Sequence, residues 1–192
     1  MIKEFIKAIV GLICFVLLIP FFILYFLHIF SFTSISQLIS LIPGFFGVML
    51  RRVWYKCMLA KCGNDLTVDF LGAIRTSKTR IGNNIYVGVG TWIGEADIGD
   101  DVMFADHITV LSGSEHHGVK RLDIPMRLQE GKIKCIVIGK DAWIGAGAII
   151  QTDVADHTVV GSGSVVTKTF KPYDIIAGVP AQKIKSRKGG AK

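Results

Sequence analysis

A hydrophobic residue recurs at every sixth position through much of this chain, and that spacing constrains the fold more than any other feature. It occurs in four series: Ile81, Val87 and Ile93; Ile98, Phe104 and Val110; Ile138, Ile144 and Ile150; Val160 and Val166. A period of six matches neither an α-helix nor the simple alternation of a strand. It is typical of a coil whose flat faces each contribute one inward side chain, and it predicts an all-β domain of stacked coils.

Three faces of six residues make a turn of eighteen, but the sequence departs from this in places. Ile81 and Ile98 are seventeen residues apart, and the spacing slips again between Thr152 and Thr158. A stack of coils needs caps at both ends. We expect residues 57–66 to cap one end and the stretch after Lys171 to cap the other, with residues 66–80 forming an irregular first coil.

Residues 8–27 carry no charged side chain. At about 1.5 Å of rise per residue, a helix of this length covers a hydrocarbon layer of roughly 30 Å. A secretory signal has a shorter apolar region, usually about 7–15 residues, that ends at a small-residue cleavage site. The segment therefore favours a retained membrane helix, in which Pro20 is tolerated as a kink.

The next segment, residues 32–50, is more amphipathic and is interrupted by Pro43-Gly44. It is predicted to lie in the membrane interface or to return across the membrane, the alternative being a soluble helix packed on the domain. Basic residues flank the two segments on both sides: Lys3, Lys7, Arg51, Arg52, Lys56 and Lys61. The positive-inside rule then predicts a helical hairpin over residues 1–56 with both ends in the cytoplasm, a single span being the alternative.

The net charge of +7 and the four cysteines exclude little by themselves. The basic residues cluster after the apolar segments and in the tail from Lys183 to Lys192, which suits a membrane surface or a phosphorylated cofactor, and no nucleic-acid motif is present.

The cysteines show neither metal-ligand nor disulfide spacing, which predicts reduced thiols. The cysteines are Cys14, Cys57, Cys62 and Cys135.

Between Val110 and Ile138 the six-residue spacing stops, and residues 111–135 form a long polar loop. Loops of this length in compact domains tend to carry function. His116 and His117 stand near its start, and an imidazole suits the removal of a proton from a hydroxyl group. Glu115 is a candidate to orient such an imidazole.

Three blocks of sequence resemble the hexapeptide-repeat acyltransferases, in the branch of the galactoside, maltose and capsular-polysaccharide O-acetyltransferases. They are IGKDAWIGAGAII at 138–150, VVGSGSVVTK at 159–168 and AGVPAQKIK at 177–185. The resemblance implies a left-handed parallel β-helix over residues 57–170 and a C-terminal cap with a basic tail over 171–192. It also implies a homotrimer with active sites between subunits and acetyl-CoA as acyl donor, without a metal.

The resemblance also implies roles for individual residues. The general base is a loop histidine: the Ile124-Pro125 pair points to His117, whereas counting forward from Ile98 points to Glu115 and His116. Coenzyme A is expected at Ala146, Ser162, Thr167, Lys168 and Lys185, although Gln182 replaces a basic residue of the family. Acceptor residues match less well, leaving Glu95, with His107 as a second candidate for lining the cleft.

We therefore expect a membrane-associated O-acetyltransferase at a bacterial inner membrane, with its catalytic domain facing the cytoplasm and a lipid-linked or polymeric sugar as acceptor. Transfer to the amine of an amino sugar and transfer of a longer acyl group remain alternatives. A non-catalytic membrane-anchored trimeric scaffold is a more distant one. A γ-type carbonic anhydrase shares this type of coil, but the His-x4-His spacing of its zinc ligands is absent.

Overall fold

The computed structural model of the chain describes residues 2–189, with side chains from residue 5 onward. The side chain of Lys3 and the end of the basic tail, residues 190–192, lie outside this part. Three helices come first: α1 (Ile2–Phe26), α2 (Phe32–Ser40) and α3 (Gly44–Met58). Sixteen short strands follow: β1 (Lys61–Cys62), β2 (Thr67–Val68), β3 (Ala73–Ile74), β4 (Arg80–Ile81), β5 (Tyr86–Val87), β6 (Trp92–Ile93), β7 (Ala96–Ile98), β8 (Met103–Phe104), β9 (Thr109–Val110), β10 (Ile136–Ile138), β11 (Trp143–Ile144), β12 (Ile149–Ile150), β13 (Val159–Val160), β14 (Val165–Val166), β15 (Asp174–Ala177) and β16 (Gln182–Ser186).

The strands form a β-solenoid with three sheets, one for each face of the coil. The sheet orders are β1-β4-β7-β10, β16-β15-β13-β11-β8-β5-β2 and β14-β12-β9-β6-β3, and every pairing except β15 with β16 is parallel. All eleven residues of the six-residue series are buried in the interior. The prediction of a coil with one inward apolar side chain per face is confirmed, and its parallel sheets fit a left-handed β-helix.

The length of a turn changes along the solenoid. Cys62 pairs with Ile81, nineteen residues on, and Ile81 pairs with Ile98, seventeen on. Ile144 pairs with Val160, only sixteen on. The slip before Val160 arises because Val154 takes the inward position there, buried and joined to Ile138 by an isolated parallel bridge.

The structure divides residues 32–50 between α2 and α3. The hydroxyl of Ser31 caps α2 by accepting a hydrogen bond from the backbone N–H of Ser34 at 3.0 Å. Pro43 and Gly44, the latter with φ of +70°, then break the helix and start α3 in a new direction. Both helices pack on the first coil, against β3 and β2 respectively, and thereby close that end of the solenoid.

Arg51 of α3 fixes this cap to the coil. Its guanidinium is fully buried and donates hydrogen bonds from Nη1 to the carbonyls of Ile39 and Ile42, at 2.9 and 2.8 Å. Its Nε donates to the carbonyl of Val68 on β2 at 2.8 Å. One side chain therefore joins the end of α2, the α2–α3 link and the first coil.

Among the described residues, α1 is the one helix long and apolar enough to cross a membrane. It packs along α3 through Cys14 and Leu18, which are buried, and through Phe22, whose ring stacks on Trp54 with centroids 5.4 Å apart. The rest of its surface exposes large apolar side chains, among them Phe5, Leu12, Val16 and Ile23. The helix thus has one face covered by protein and a wide apolar face left exposed.

The C-terminal end of the solenoid is closed by the hairpin of β15 and β16. Strand β15 continues the parallel sheet beyond β13, and β16 returns antiparallel to it. The buried carboxylate of Asp174 forms an ion pair with Lys183 at 2.6 Å across this hairpin. Arg187, just beyond β16, donates to the carboxylate of Asp141 at 3.2 Å and so ties the end of the chain to an earlier coil.

Candidate active site

The loop over residues 111–135 leaves the solenoid after β9 and returns to it at β10. Its two ends run side by side: the N–H of Lys134 donates to the carbonyl of Ser112 at 2.9 Å, and that of Lys132 donates to the carbonyl of Glu115. Further out, Gln129 organises the turn, since its amide nitrogen donates to the carbonyl of Arg121 at 2.6 Å. The loop is therefore folded on itself, with a short 3-10 helix at Met126–Leu128.

This folded loop encloses a cavity of about 600 Å³. The imidazole of His117 and the side chain of Glu115 line it on one side, and Ile124 and Leu128 add apolar surface. Three cationic side chains also line it: Lys120, Arg121 and Lys132. Glu115 and Glu130 line it as well, and Arg121 is paired with Asp123, so the cavity combines an imidazole with side chains of both charges.

The two loop histidines differ in their surroundings. His116 Nε2 lies 3.0 Å from the carbonyl oxygen of Gly113, to which it donates a hydrogen bond within the loop. His117 lines the cavity, and its ring has no hydrogen-bond partner in the described part of the chain. Of the two loop histidines, His117 is thus the one that lines the cavity.

The two predicted carboxylates occupy different places. Glu115 shares the cavity with His117, but no hydrogen bond joins its carboxylate to either imidazole among the described residues. Glu95 lies one coil below the loop, and its backbone holds both loop ends: its N–H donates to Ser112 Oγ at 2.8 Å and its carbonyl accepts from Ile136 at 3.0 Å. Glu95 is therefore at the base of the loop that carries the histidines.

Four of the five residues expected to contact coenzyme A lie at the two edges of one sheet, the one that contains β9, β12 and β14. Ala146 and Ser162 stand at the edge before β12 and β14, one above the other, with the N–H of Gly163 donating to the carbonyl of Ala146 at 2.8 Å. Both are exposed. Thr167 and Lys168 follow β14 at the opposite edge, where the loop also leaves β9.

Lys168 and Lys185 extend this surface toward the C-terminal hairpin. Lys168 Nζ donates to Gln182 Oε1 at 2.9 Å and lies 5.5 Å from the centre of the Phe170 ring. Lys185 is exposed on β16, opposite Ile175. The glutamine that replaces a basic residue of the family thus orients one of the two lysines.

His107 lies apart from the loop. It occupies the corner before β9, with φ of 56°, at the same edge of the sheet as Ala146 and Ser162. Its ring packs on Gly90 and, with Trp92, lines a separate shallow cavity against α2. The two predicted acceptor residues, Glu95 and His107, are therefore on opposite edges of the sheet within one chain.

Sequence reasoning missed the cationic lining of the cavity. Lys132 is separated along the chain from the adjacent Lys120 and Arg121, and the loop brings it to the same cavity by folding back through Gln129. The signal in the sequence was the basic character of the loop. Within residues 5–189, no cluster of three histidine, cysteine or acidic side chains is arranged to hold a metal ion.

Comparison with known proteins places these features in a family context. No family model matches the chain. The galactoside O-acetyltransferase of Escherichia coli strain K12 is 32% identical over 118 residues, which cover 57% of this chain and 54% of that enzyme. A protein of the same organism named as a putative lipopolysaccharide biosynthesis O-acetyl transferase is 30% identical over 110 residues, covering 53% and 55%. The chain thus spans about half the length of these curated relatives.

Solved structures share the fold. A maltose O-acetyltransferase from Clostridium difficile 630 superposes with a TM-score of 0.66 and 19% identity, covering 81% of this chain and 84% of that one. A galactoside acetyltransferase in complex with coenzyme A gives a TM-score of 0.57 and 23% identity, covering 80% and 78%. At this level of identity the likeness concerns the fold, and it includes part of the helical region before the solenoid.

Proposed function

We propose that the chain is a hexapeptide-repeat acyltransferase and that it moves an acetyl group from acetyl-CoA to a hydroxyl group of a glycan. The observation that carries the proposal is the imidazole of His117, without a hydrogen-bond partner in the described chain and facing a cavity beside the solenoid. Two relatives named as O-acetyltransferases support oxygen as the acceptor atom. The thioester is already activated, so the demanding step is to make an alcohol nucleophilic.

In the proposed reaction His117 accepts the hydroxyl proton while the oxygen forms a bond to the thioester carbonyl carbon. The carbonyl π bond opens, and the negative charge on its oxygen is stabilised by a backbone N–H donor at the glycine-containing edge of the site. When the carbonyl re-forms, the carbon–sulfur bond breaks and the imidazolium of His117 returns its proton to the thiolate. The products are an acetyl ester and coenzyme A, and the histidine is restored.

The acyl donor is proposed to lie along the sheet edges. The small side chains of Ala146 and Ser162 leave room for a narrow pantetheine arm, and Lys168 and Lys185 supply positive charge for the phosphates. Ala146 and Ser162 lie at the edge of the sheet opposite the one where the loop of the same chain leaves β9. This separation supports the homotrimer, in which the loop of one subunit meets the opposite edge of a neighbour.

The acceptor is proposed to be a lipid-linked or polymeric sugar at the cytoplasmic face of a bacterial inner membrane. The exposed apolar face of α1 supports membrane association. The matched relative named for lipopolysaccharide biosynthesis supports a cell-envelope glycan. Glu95, at the base of the loop, is the proposed contact to the acceptor.

The test is an acetyl-transfer assay with radiolabelled acetyl-CoA and isolated membrane lipids. The wild-type protein is expected to label a lipid-bound glycan, and His117→Ala to lose about 10²–10⁴-fold in kcat/KM. His116→Ala is the matched control, expected to keep most of the activity because its imidazole is bonded within the loop. Label released by mild alkali identifies an ester, whereas resistant label identifies an amide and contradicts transfer to oxygen.

A further inference from the structure

A second cavity lies far from the histidine loop, between α1, α3 and the first coil. Its volume is about 460 Å³. One wall is apolar and includes Gly11 and Phe15 of α1 and Met49 and Val53 of α3. A Cβ added at Gly11 would have the terminal methyl carbon of Met49 as its nearest neighbour, at 3.8 Å, so the helices leave an open groove there.

The rim of this cleft is cationic. Lys7, Arg52 and Lys56 line it, and among the described lining residues Asp65 is the one acid. Lys56 Nζ donates to the carbonyls of Cys62 and Gly63, at 2.8 and 3.0 Å, so neutral oxygens hold the ammonium in place without cancelling its charge. Arg52 Nη1 forms an ion pair with Asp65 at 3.9 Å, which offsets one of the three cationic charges.

The cleft opens beside the exposed apolar face of α1. That helix contacts α3 from the level of Gly11 to that of Tyr25, whose ring meets Trp54 edge-on at 6.2 Å. Because α3 is itself held to the first coil through Arg51, α1 in this arrangement lies along the end of the solenoid. Lysine and arginine thus border the exposed apolar face of α1, where they can meet anionic lipid headgroups.

From this geometry we infer that the cleft binds an anionic phospholipid, with its phosphate at the cationic rim and the start of an acyl chain along the apolar wall of α1 and α3. This site holds the helical cap at the membrane surface and so presents the histidine loop to lipid-borne sugars. The inference rests on the membrane association proposed above. It adds a specific lipid site to that association.

The cleft contains its own reporter, since Cys57 lines it and is exposed. Cys135, at the end of the histidine loop, is also exposed, and burial raises the pKa of both thiols, so it serves as an internal control. Full-length protein is mixed with vesicles of phosphatidylcholine, with or without phosphatidylglycerol, and the rates of maleimide labelling at both cysteines are read by mass spectrometry. Phosphatidylglycerol is expected to slow labelling of Cys57 and to leave Cys135 unchanged.

Two variants test the two halves of the site. Lys7→Gln removes one rim charge and is expected to weaken binding to anionic vesicles about fivefold, whereas Lys140→Gln, on a remote corner of the solenoid, leaves it unchanged. Gly11→Leu fills the cleft while making α1 more apolar. It is expected to abolish the protection of Cys57 although binding to neutral vesicles persists. Melting temperatures equal to wild type show that both variants fold.

The remaining outcomes overturn the inference in distinguishable ways. Equal binding to both vesicle types without protection of Cys57 would contradict the lipid site but not membrane association. Protection that increases with protein concentration in the absence of lipid shows that a second copy covers the cleft, which also overturns the site. No binding to either vesicle removes membrane association as well, whereas acetyl transfer to a soluble sugar is measured independently.

Discussion

Arg51 is as buried as any leucine of the core, yet the contacts of its guanidinium are with oxygen. Three carbonyls at the end of α2 and in the link to α3 accept from its Nη1, and the carbonyl of Val68 accepts from its Nε. Burial lowers the pKa of the guanidinium, because removal from water disfavours its charge. Backbone oxygens surround the charge at Nε and Nη1, while Nη2 is buried without a hydrogen-bond partner in the described chain.

We expect Arg51→Met to lower the free energy of unfolding by about 3 kcal/mol, because each buried carbonyl left unpaired costs about 1–3 kcal/mol. Arg75→Met, at an exposed position, is the matched control and is expected to change stability by about 0.5 kcal/mol or less. Urea denaturation followed by tryptophan fluorescence measures both. Equal losses in the two variants would show that the cap does not depend on the buried guanidinium.

Asp141 is the residue through which the end of the chain is attached to the solenoid. Its carboxylate accepts from His157 Nδ1 at 2.8 Å and from Arg187 Nη1 at 3.2 Å. The hydrogen bond from His157, with a further contribution from Arg187, lowers the pKa of the Asp141 carboxyl below its ordinary value. A lowered carboxyl pKa stabilises the folded state at pH values above the ordinary pKa of a carboxyl group. That stabilisation is lost as the pH falls through the lowered pKa.

Asp141→Asn is therefore expected to speed amide hydrogen exchange in β16 and at Arg187 at neutral pH. The effect is small, because both partners of the Asp141–Arg187 pair are well exposed to solvent. As the pH falls through the lowered pKa of Asp141, the wild-type carboxyl is protonated too, and the difference is expected to vanish. A difference that persists unchanged in acid would contradict an electrostatic attachment. Asp97→Asn, on another sheet, is the control.

At the scale of the strand, inward and outward neighbours have opposite environments. On β11 the side chain of Ile144 is fully buried, while that of Trp143 beside it is 51% exposed. The same alternation holds for Met103 and Phe104 on β8. Because β8 and β11 have only two residues each, a single inward side chain carries the packing of that part of the coil.

Ile144→Ala is expected to lower the free energy of unfolding by about 2–5 kcal/mol, because it removes apolar contacts and leaves a cavity inside the coil. Trp143→Ala, at the neighbouring position, removes a larger side chain. It is nevertheless expected to lower the free energy of unfolding of the monomer far less, since Trp143 is already half exposed to solvent. Thermal or chemical unfolding of the two variants measures this contrast. A larger loss at Trp143 would place the register of β11 in error.

The inward positions could be predicted because strand alternation and tight corners are local constraints, and Ile81, Val87 and Ile93 express them directly in the sequence. The inward position of Val154 was missed, because its turn is shorter than the repeat and its bridge to Ile138 is a contact with the preceding coil. The division of residues 32–50 into α2 and α3 depends on the break at Pro43 and Gly44 together with the buried Arg51. The contact of Arg51 with Val68 is long-range, and periodicity does not reveal it.

In the candidate site, too, local features could be predicted from the sequence, whereas features that depend on long-range contacts could not. The loop and its histidines stood out because they interrupt the repeat, so their position could be predicted from local sequence. The choice between His116 and His117 could not, because it depends on the hydrogen bond from His116 to Gly113 and on the cavity formed around Gln129. A role for His117 in catalysis stays a prediction, to be tested by the assay described above.

At the scale of the whole molecule, the histidine loop exposes more apolar surface than a solvated loop requires. Leu122 is 97% exposed, and four further apolar side chains of the loop are more than half exposed: Val119, Met126, Leu128 and Ile133. Clusters of this kind on a soluble surface commonly mark an interface. The loop also stands across the sheet from Ala146 and Ser162, so a neighbouring copy that covered it would complete the proposed site.

We therefore expect Leu122→Ser to weaken the proposed homotrimer. Burial of a leucine contributes about 2 kcal/mol at each interface, which corresponds to about a thirty-fold change in each contact. Sedimentation velocity is expected to show trimers for wild type and for Ile184→Ser, an exposed residue of β16, but dissociation of Leu122→Ser at low concentration. Its acetyl-transfer activity is expected to fall with dissociation and to recover at high protein concentration, because the donor edge and the histidine loop then meet again. Full activity in a monomeric Leu122→Ser would instead require both substrates to bind within a single chain.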